Sequence, residues 1–482
     1  MRYDAPRDLL LAALTHEPGL NRLEVHAFLH RLCGRHVIEL QNCLREPLWE
    51  RWAGVLQGQL GPLCRQADWL ALLVREARAV ADADRALVFA AVLLRVLDKV
   101  HIQRGRDFRA ARASLPPALG GGTTLFLAPP ESPIADLVPE SRRLGRGRGD
   151  LKSDLRNVLE LWWYLVPLDR HTVRPNIQPL DASISREMAH RLRRQGDLRI
   201  GLASPFDDLR YVVRSDPARC GGRGIPYRFA EISPDCLALA RAALQETLHL
   251  CAAHQIDVLC FPELTLDGSL LHHLQLLLKL QNPSRHPLLV VAGSFHADAG
   301  KGWVNRCRVL GGSGEPLSTQ DKCAAYNLPG AQVTPHLGQT LGLDERGGYE
   351  DIEQSTVLEI LDTPLGRLAT PICLDFCGEQ LRDLLVDACV NLFFVPAMTP
   401  RMEPFLDRAR DLGTQNRATT FAVNSSWLLQ QIGVSPVLES VVLAYLPARK
   451  LDSTLRPLSS SLYSCSIREL LGLPLTVHGA TL

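Results

Sequence analysis

From Leu198 onward, short apolar runs alternate with stretches whose apolar residues recur at helical spacing, which limits that half of the chain to an α/β fold. The runs fall at 198–203, 256–261, 288–294, 303–310, 368–373, 391–395 and 420–424. Before the second run, Ser233-Pro234 offers an N-cap followed by proline at the first helical position, and Leu237, Ala240, Leu244, Leu248 and Cys251 form one apolar face. Gly311-Gly312-Ser313-Gly314 reads as a turn between strands; it lacks the Gly-Lys-Ser/Thr ending of a phosphate-binding loop.

The preceding residues have another texture. A chain of 482 residues exceeds one ordinary core, so more than one domain is expected. We divide it into an all-α domain over 1–115, a Pro/Gly/Arg-rich linker with connecting helices over 116–195, and an α/β domain over 196–482. Helical spacing is clearest over 69–100, through Leu70, Leu73, Val74, Ala77 and Val80, then Val88, Ala91, Leu94 and Val96. Pro116-Pro117 and Gly120-Gly121-Gly122 break it, and an arginine cluster follows at 142–156. The spacing predicts another helix over 153–166, with Trp162-Trp163-Tyr164 packed into a core or an interface.

Residues 1–195 carry 29 Lys+Arg against 22 Asp+Glu, leaving 24 against 30 of the 53 and 52 in the whole chain. This asymmetry supports the division near 195 but is too mild to argue for nucleic-acid binding. The 13 cysteines are scattered and none forms a C-x2-C pair, so neither a zinc ribbon nor a disulfide scaffold is expected. With no apolar run of membrane-spanning length and no signal-peptide core, the expected location is cytoplasmic, with no membrane partner.

Three fragments place reactive groups at or near the ends of apolar runs: Phe261-Pro262-Glu263-Leu264, Gln320-Asp321-Lys322 and Pro371-Ile372-Cys373-Leu374-Asp375. Cys373 is a candidate nucleophile on a strand-to-helix turn. A thiol is only slightly ionised at neutral pH and needs a base or a cation; Glu263 and Lys322 are candidates for these parts. Carboxylate, ammonium and thiol together suffice to hydrolyse an amide-type carbon–nitrogen bond.

The order and flanks of these fragments resemble the nitrilase, or carbon–nitrogen hydrolase, superfamily, whose members have a Glu in an F-P-E-[LM] strand end, a Lys after a strand, turn and strand, and a Cys in a G-x-x-I-C-x-D strand end. Asp257 to Gly268 is similar to the first, Trp303 to Lys322 to the second, including Asn305, and Gly366 to Asp375 to the third. Arg382, the 391–396 run, Asn416 and Asn424 also match. The resemblance covers about 197–482 and implies a nitrilase-like α-β-β-α sandwich, with Glu263 as general base, Lys322 as oxyanion-stabilising cation and Cys373 as nucleophile. It further implies a small-molecule amide-type substrate, a thioester intermediate, no metal or organic cofactor, and a homodimer or larger homo-oligomer paired through the apolar segment at 381–388. The N-terminal domain is then expected to regulate the enzyme, extend the assembly or receive a protein partner.

Several positions depart from the pattern. Lys322 sits in Thr319-Gln320-Asp321-Lys322-Cys323-Ala324 instead of Arg-Lys-x-His-Leu, Gln415 replaces the usual Glu, Leu412 a common Arg, and Ser426 a Gly. The interval between Lys322 and Cys373 is long for the family, so an enlarged loop is expected over 329–355, where Glu345, Glu350 or Glu353 would supply a second glutamate. Two alternatives stand beside the amidase reading: acyl transfer from the same thioester, and a regulatory or defence-type scaffold that senses ligand with this fold.

Overall fold

In the computed structural model, described residues run from 171 to 466 apart from 196, 207, 281–286, 417, 434 and 447–454; before them lie scattered positions from 10 to 80, then 83–104, 110–114, 123–127 and 165–167. The chain divides into two compact units, with the main boundary between Thr172 and Val173.

In the first unit, helix α1 (Trp69–Arg78) buries Trp69, Leu73 and Ala77, a four-residue repeat that places them on one face. Helix α2 (Ala83–Arg104) is buried throughout Ala86–Leu94, where an uninterrupted apolar run leaves no face for water. The unit also contains an antiparallel sheet of β1 (Ala110–Ser114), β2 (Thr123–Leu127) and β3 (Leu165–Pro167), so the expectation of an all-α domain is corrected. These strands are short and separated by long connections, which hides their pairing from local pattern. Leu165 and Val166 lie in β3 and not in the helix expected over 153–166; the rest of that span, with Trp162-Trp163-Tyr164, and the 142–156 cluster lie outside the described residues.

The second unit is an α-β-β-α sandwich. It begins with β4 (Arg174–Pro179) and α3 (Ala182–Gln195), followed by β5 (Arg199–Ala203), β6 (Tyr211–Ser215), β7 (Ile225–Ile232), α4 (Pro234–Ala253), β8 (Val258–Cys260), α5 (Gly268–Leu280), β9 (Leu289–Asp298), β10 (Trp303–Gly311) and β11 (Pro316–Asp321). Next come β12 (Asn327–Leu328), α6 (Pro335–Leu341), β13 (Gly348–Glu350), β14 (Val357–Thr363), β15 (Gly366–Ala369), α7 (Leu374–Cys377), α8 (Glu379–Asp387), β16 (Leu392–Ala397), α9 (Glu403–Asn416), β17 (Thr419–Asn424) and α10 (Ser426–Gln431). Strands β18 (Val442–Tyr445), β19 (Arg456–Pro457) and β20 (Leu462–Ser466) close the order.

One sheet runs β11-β10-β9-β8-β5-β20-β19 and the other β18-β17-β16-β15-β14-β4. At the centres, β5, β8 and β9 are parallel, as are β15, β16 and β17; such strands are covered on both faces and therefore read as continuous apolar runs. The sheets face one another, with Glu263 N–H donating to Ala397 O at 3.3 Å and Ser204 Oγ 3.1 Å from Ser426 Oγ. Helix α4 packs Cys236, Ala240, Leu244, Leu248 and Cys251 inward, close to the face read from the sequence.

Two details differ from the sequence reading. The second sheet takes its edge strand β4 from upstream of residue 196; β4 begins and ends next to proline and lacks an apolar run, so texture does not reveal it. The stretch at 329–355 is not an open loop: it holds α6 and β13, and β13 joins β12, β7 and β6 in a third, four-stranded sheet in the order β12-β13-β7-β6. Gly224 and Gly347 permit that join, because a Cβ on Gly224 would stand 2.6 Å from Gly347 O. Within the segment expected to pair, Leu381, Leu384 and Leu385 are buried in the chain's own core. Among the described residues no helix is long and apolar enough to cross a membrane.

Candidate active site

Strand β8 delivers Glu263. Pairing with β9 continues through Phe261 N–H to Val291 O at 2.9 Å, after which Pro262 ends the ladder and Leu264 turns left-handed at φ 55°. The kink crosses close to Gly293, whose added Cβ would lie 2.2 Å from Pro262 O, so a side chain there would displace the segment carrying Glu263. Tyr211 Oη donates to Leu264 O at 2.9 Å and holds the turn.

Lys322 follows β11, and its N–H extends the ladder to Asn305 O at 2.8 Å. Its ammonium is almost wholly buried and donates to Glu263 Oε1 at 2.8 Å and to Glu350 Oε2 at 2.7 Å. Burial opposes the charge, but Glu263, Glu350 and Cys373 outweigh it and hold the lysine pKa well above the ordinary value. The sequence-predicted pair Glu263 and Lys322 is therefore brought into direct contact.

Cys373 lies between β15 and α7 in a strained conformation, φ 50° and ψ −106°, which a non-glycine residue adopts only when its surroundings impose it. Its N–H donates to Pro396 O at 2.9 Å, and its thiol is 3.7 Å from Met398 O, near enough to Glu263 and Lys322 to feel the charge of both. Burial pushes the thiol pKa well up and Glu263 adds to this, while Lys322 opposes it. The resting group is thus a neutral thiol with a carboxylate nearby. The Leu374 N–H, next in the chain, has no partner among the described residues.

Of the three candidate second glutamates, Glu345 and Glu353 are exposed, whereas Glu350 is buried in the cluster. Its Oε1 accepts from His296 Nε2 and Asn305 Nδ2, each at 3.0 Å, and its Oε2 accepts from Lys322 Nζ and from Tyr326 N–H at 2.8 Å. Burial disfavours the charge, yet Lys322 and His296 keep this carboxyl well below the usual range. Glu350 is therefore an ionised anchor. Asn305 uses its other amide hydrogen on Glu263 Oε1 at 2.9 Å.

Asp375 braces the lysine from the far side. Its oxygens accept from Cys323 N–H at 3.1 and 2.9 Å and from Ala324 N–H at 2.8 Å, tying the residues after Lys322 to the turn after Cys373. Burial pushes its carboxyl up to about 7, against the pull of those N–H groups and Lys322. The other matched residues serve the frame: Asn424 accepts from Thr399 N–H at 2.9 Å beside Met398, Asn416 Nδ2 donates to Leu385 O at 3.0 Å, and Arg382 pairs with Asp411 at 2.7 Å away from the cluster.

No protein-family model matches the chain, and no curated protein does so. Solved structures that match include Saccharomyces cerevisiae Nit3, a member of branch 10 of the nitrilase superfamily, at 12% identity and TM-score 0.37, covering 58% of this chain and 96% of that one. Another is an amidase from Nesterenkonia sp., at 15% identity and TM-score 0.32, covering 56% and 89%. A mutant of the amidase from Nesterenkonia sp. AN1, with the acetamide moiety of fluoroacetamide added covalently at its active-site cysteine, matches at 13% identity and TM-score 0.33, covering 57% and 93%. These neighbours are nitrilase-superfamily proteins.

Proposed function

We propose that the second unit is an amidase-type hydrolase of non-peptide carbon–nitrogen bonds working through a Cys373 thioester. The observation that carries this reading is the buried Lys322 ammonium held between Glu263 and Glu350 at 2.8 and 2.7 Å with the Cys373 thiol beside Glu263. Glu263 takes the thiol proton as Cys373 Sγ attacks the substrate carbonyl carbon. The oxyanion that forms is stabilised by Lys322 and the Leu374 N–H. Collapse breaks the carbon–nitrogen bond, and the departing nitrogen takes the proton from Glu263. Water then attacks the thioester, giving a proton to Glu263; the carbon–sulfur bond breaks, the acid leaves and the proton returns to sulfur.

Glu350 is an unsuitable base in this scheme because all its lone-pair directions are engaged by donors, whereas the donors on Glu263, Lys322 and Asn305, both fall on Oε1. The test is ammonia release from a panel of small primary amides and carbamoyl compounds, with intact-mass analysis of the protein during turnover. Native protein is expected to turn over at least one of them. On that compound Cys373→Ala should lose at least about 10³-fold in kcat and Glu263→Gln about 10²–10⁴-fold. Undiminished ammonia release by Cys373→Ala would overturn the reading.

A further inference from the structure

One buried side chain of the cluster has no part in that chemistry. His296, on β9, has a side chain with no exposed surface, on a strand where every neighbour from Leu289 to Phe295 is also buried. We propose that His296 is a positioning residue for this reaction: it fixes the plane of the Glu350 carboxylate so that Oε2 presents to Lys322. The inference rests on the reading of Cys373 as the nucleophile.

The hydrogen bonds set the imidazole tautomer. Phe229 N–H can only donate, so His296 Nδ1, at 2.9 Å, is the acceptor, and Nε2 carries the proton that goes to Glu350 Oε1. In the β9–β10 register His296 stands directly opposite Asn305, and these two cross-strand neighbours converge on the same oxygen. Such convergence matters because the terminal torsion of a glutamate is broad and two-fold. Glu350 also comes from a strand of only three residues, attached to β7 and β12 instead of either large sheet. Asn305 cannot take over alone, since one of its two amide hydrogens already serves Glu263. With Glu350 turned away, Lys322 is drawn to Glu263 and competes for the lone pair that accepts the thiol proton.

A purely structural role, in which His296 merely fastens β7 to β9, uses the other ring nitrogen. The two roles therefore separate. Asparagine at this position keeps an acceptor near Nδ1 and loses the donor to Glu350; glutamine keeps a donor near Nε2 and loses the acceptor for Phe229. The experiment measures the rate of Cys373 alkylation by iodoacetamide, itself a primary amide, with peptide mapping by mass spectrometry on the full-length protein, alongside the melting temperature. His296→Gln should label within about two-fold of native protein but melt lower, whereas His296→Asn should label about ten-fold more slowly. Glu350→Gln should match the slow rate, and the double variant His296→Asn/Glu350→Gln should be no slower than either single one.

A His296→Asn rate at or above native, or multiplying effects in the double variant, would overturn the proposal. If His296→Asn fails to fold, the comparison of His296→Gln with Glu350→Gln still decides: equal slowing of both would overturn it. A failure of the underlying reading looks different, because native Cys373 would then label no faster than Cys377, whose thiol burial pushes up to about 12.

Discussion

The site is assembled from two regions built on different principles. Glu263 and Cys373 stand at the ends of central strands in opposing sheets, each at a left-handed non-glycine residue: Leu264 follows Glu263, and Cys373 is itself the kink. Lys322 extends an outer strand of the first sheet. Glu350 arrives from the small third sheet, where β13 pairs in parallel with β7 and places Glu350 opposite Tyr227. The sandwich thus supplies Glu263 and Cys373 on covered central strands, while the small sheet supplies the second carboxylate that faces Lys322. A mispaired small sheet would change the electrostatics between Glu263 and the thiol, and would also free the Leu264 turn that Tyr211 of β6 holds.

The greatest loss should come from removing the one charge that the small sheet brings to the cluster. Glu350→Ala leaves the buried Lys322 ammonium with a single carboxylate and leaves His296 Nε2, one Asn305 hydrogen and the Tyr326 N–H without an acceptor. Breaking a buried ion pair on one side costs about 3–5 kcal/mol. Urea denaturation of the second unit should show a loss of that size. A loss below about 1 kcal/mol would mean that the sandwich holds Lys322 without help from β13.

The sequence displayed these two regions unequally. Glu263 and Cys373 are legible because central parallel strands must be continuously apolar, so a polar residue just past such a run is conspicuous. Lys322 is legible only through its order between them. Glu350 could not be chosen over Glu345 and Glu353, since what selects it is pairing with a strand more than a hundred residues away, and a three-residue strand leaves no periodicity to read. His296 was missed although a signal existed: a histidine within the apolar run starting at Leu288 must find partners once buried. Strand β4 and the first unit's sheet were hidden for a related reason, as edge and short strands carry little pattern.

A second, smaller effect tests the link between the turn after Lys322 and the turn after Cys373. Asp375 has a carboxyl raised from 3.8 to about 7, so between those values the folded chain binds its proton more tightly than the unfolded chain. Stability from this group is therefore fully present below about 3.8 and declines as pH rises toward 7, by about 1 kcal/mol per pH unit. Asp375→Asn removes the ionisation, so the native and variant slopes of stability against pH should differ by that amount in this window. Parallel slopes would show that Asp375 stays ionised throughout, stabilised by the N–H groups of Cys323 and Ala324.

The smallest effect sharpens the contrast between a left-handed residue that serves chemistry and one that only ends a helix. Gln255 has φ 54°, close to the 50° of Cys373, but it is exposed and follows α4, where Ile256 N–H donates to Cys251 O at 2.9 Å and Gln255 N–H to Ala252 O at 3.4 Å. This is the hydrogen-bond pattern of a helix stop that favours glycine. Its side chain makes no contribution to the cluster, so the conformation costs stability without serving the reaction. Gln255→Gly should therefore stabilise the fold by about 0.5–1 kcal/mol in urea denaturation and leave the alkylation rate of Cys373 unchanged. A change in that rate would show that α4, on the outer face of the first sheet, transmits strain to the strand end carrying Glu263.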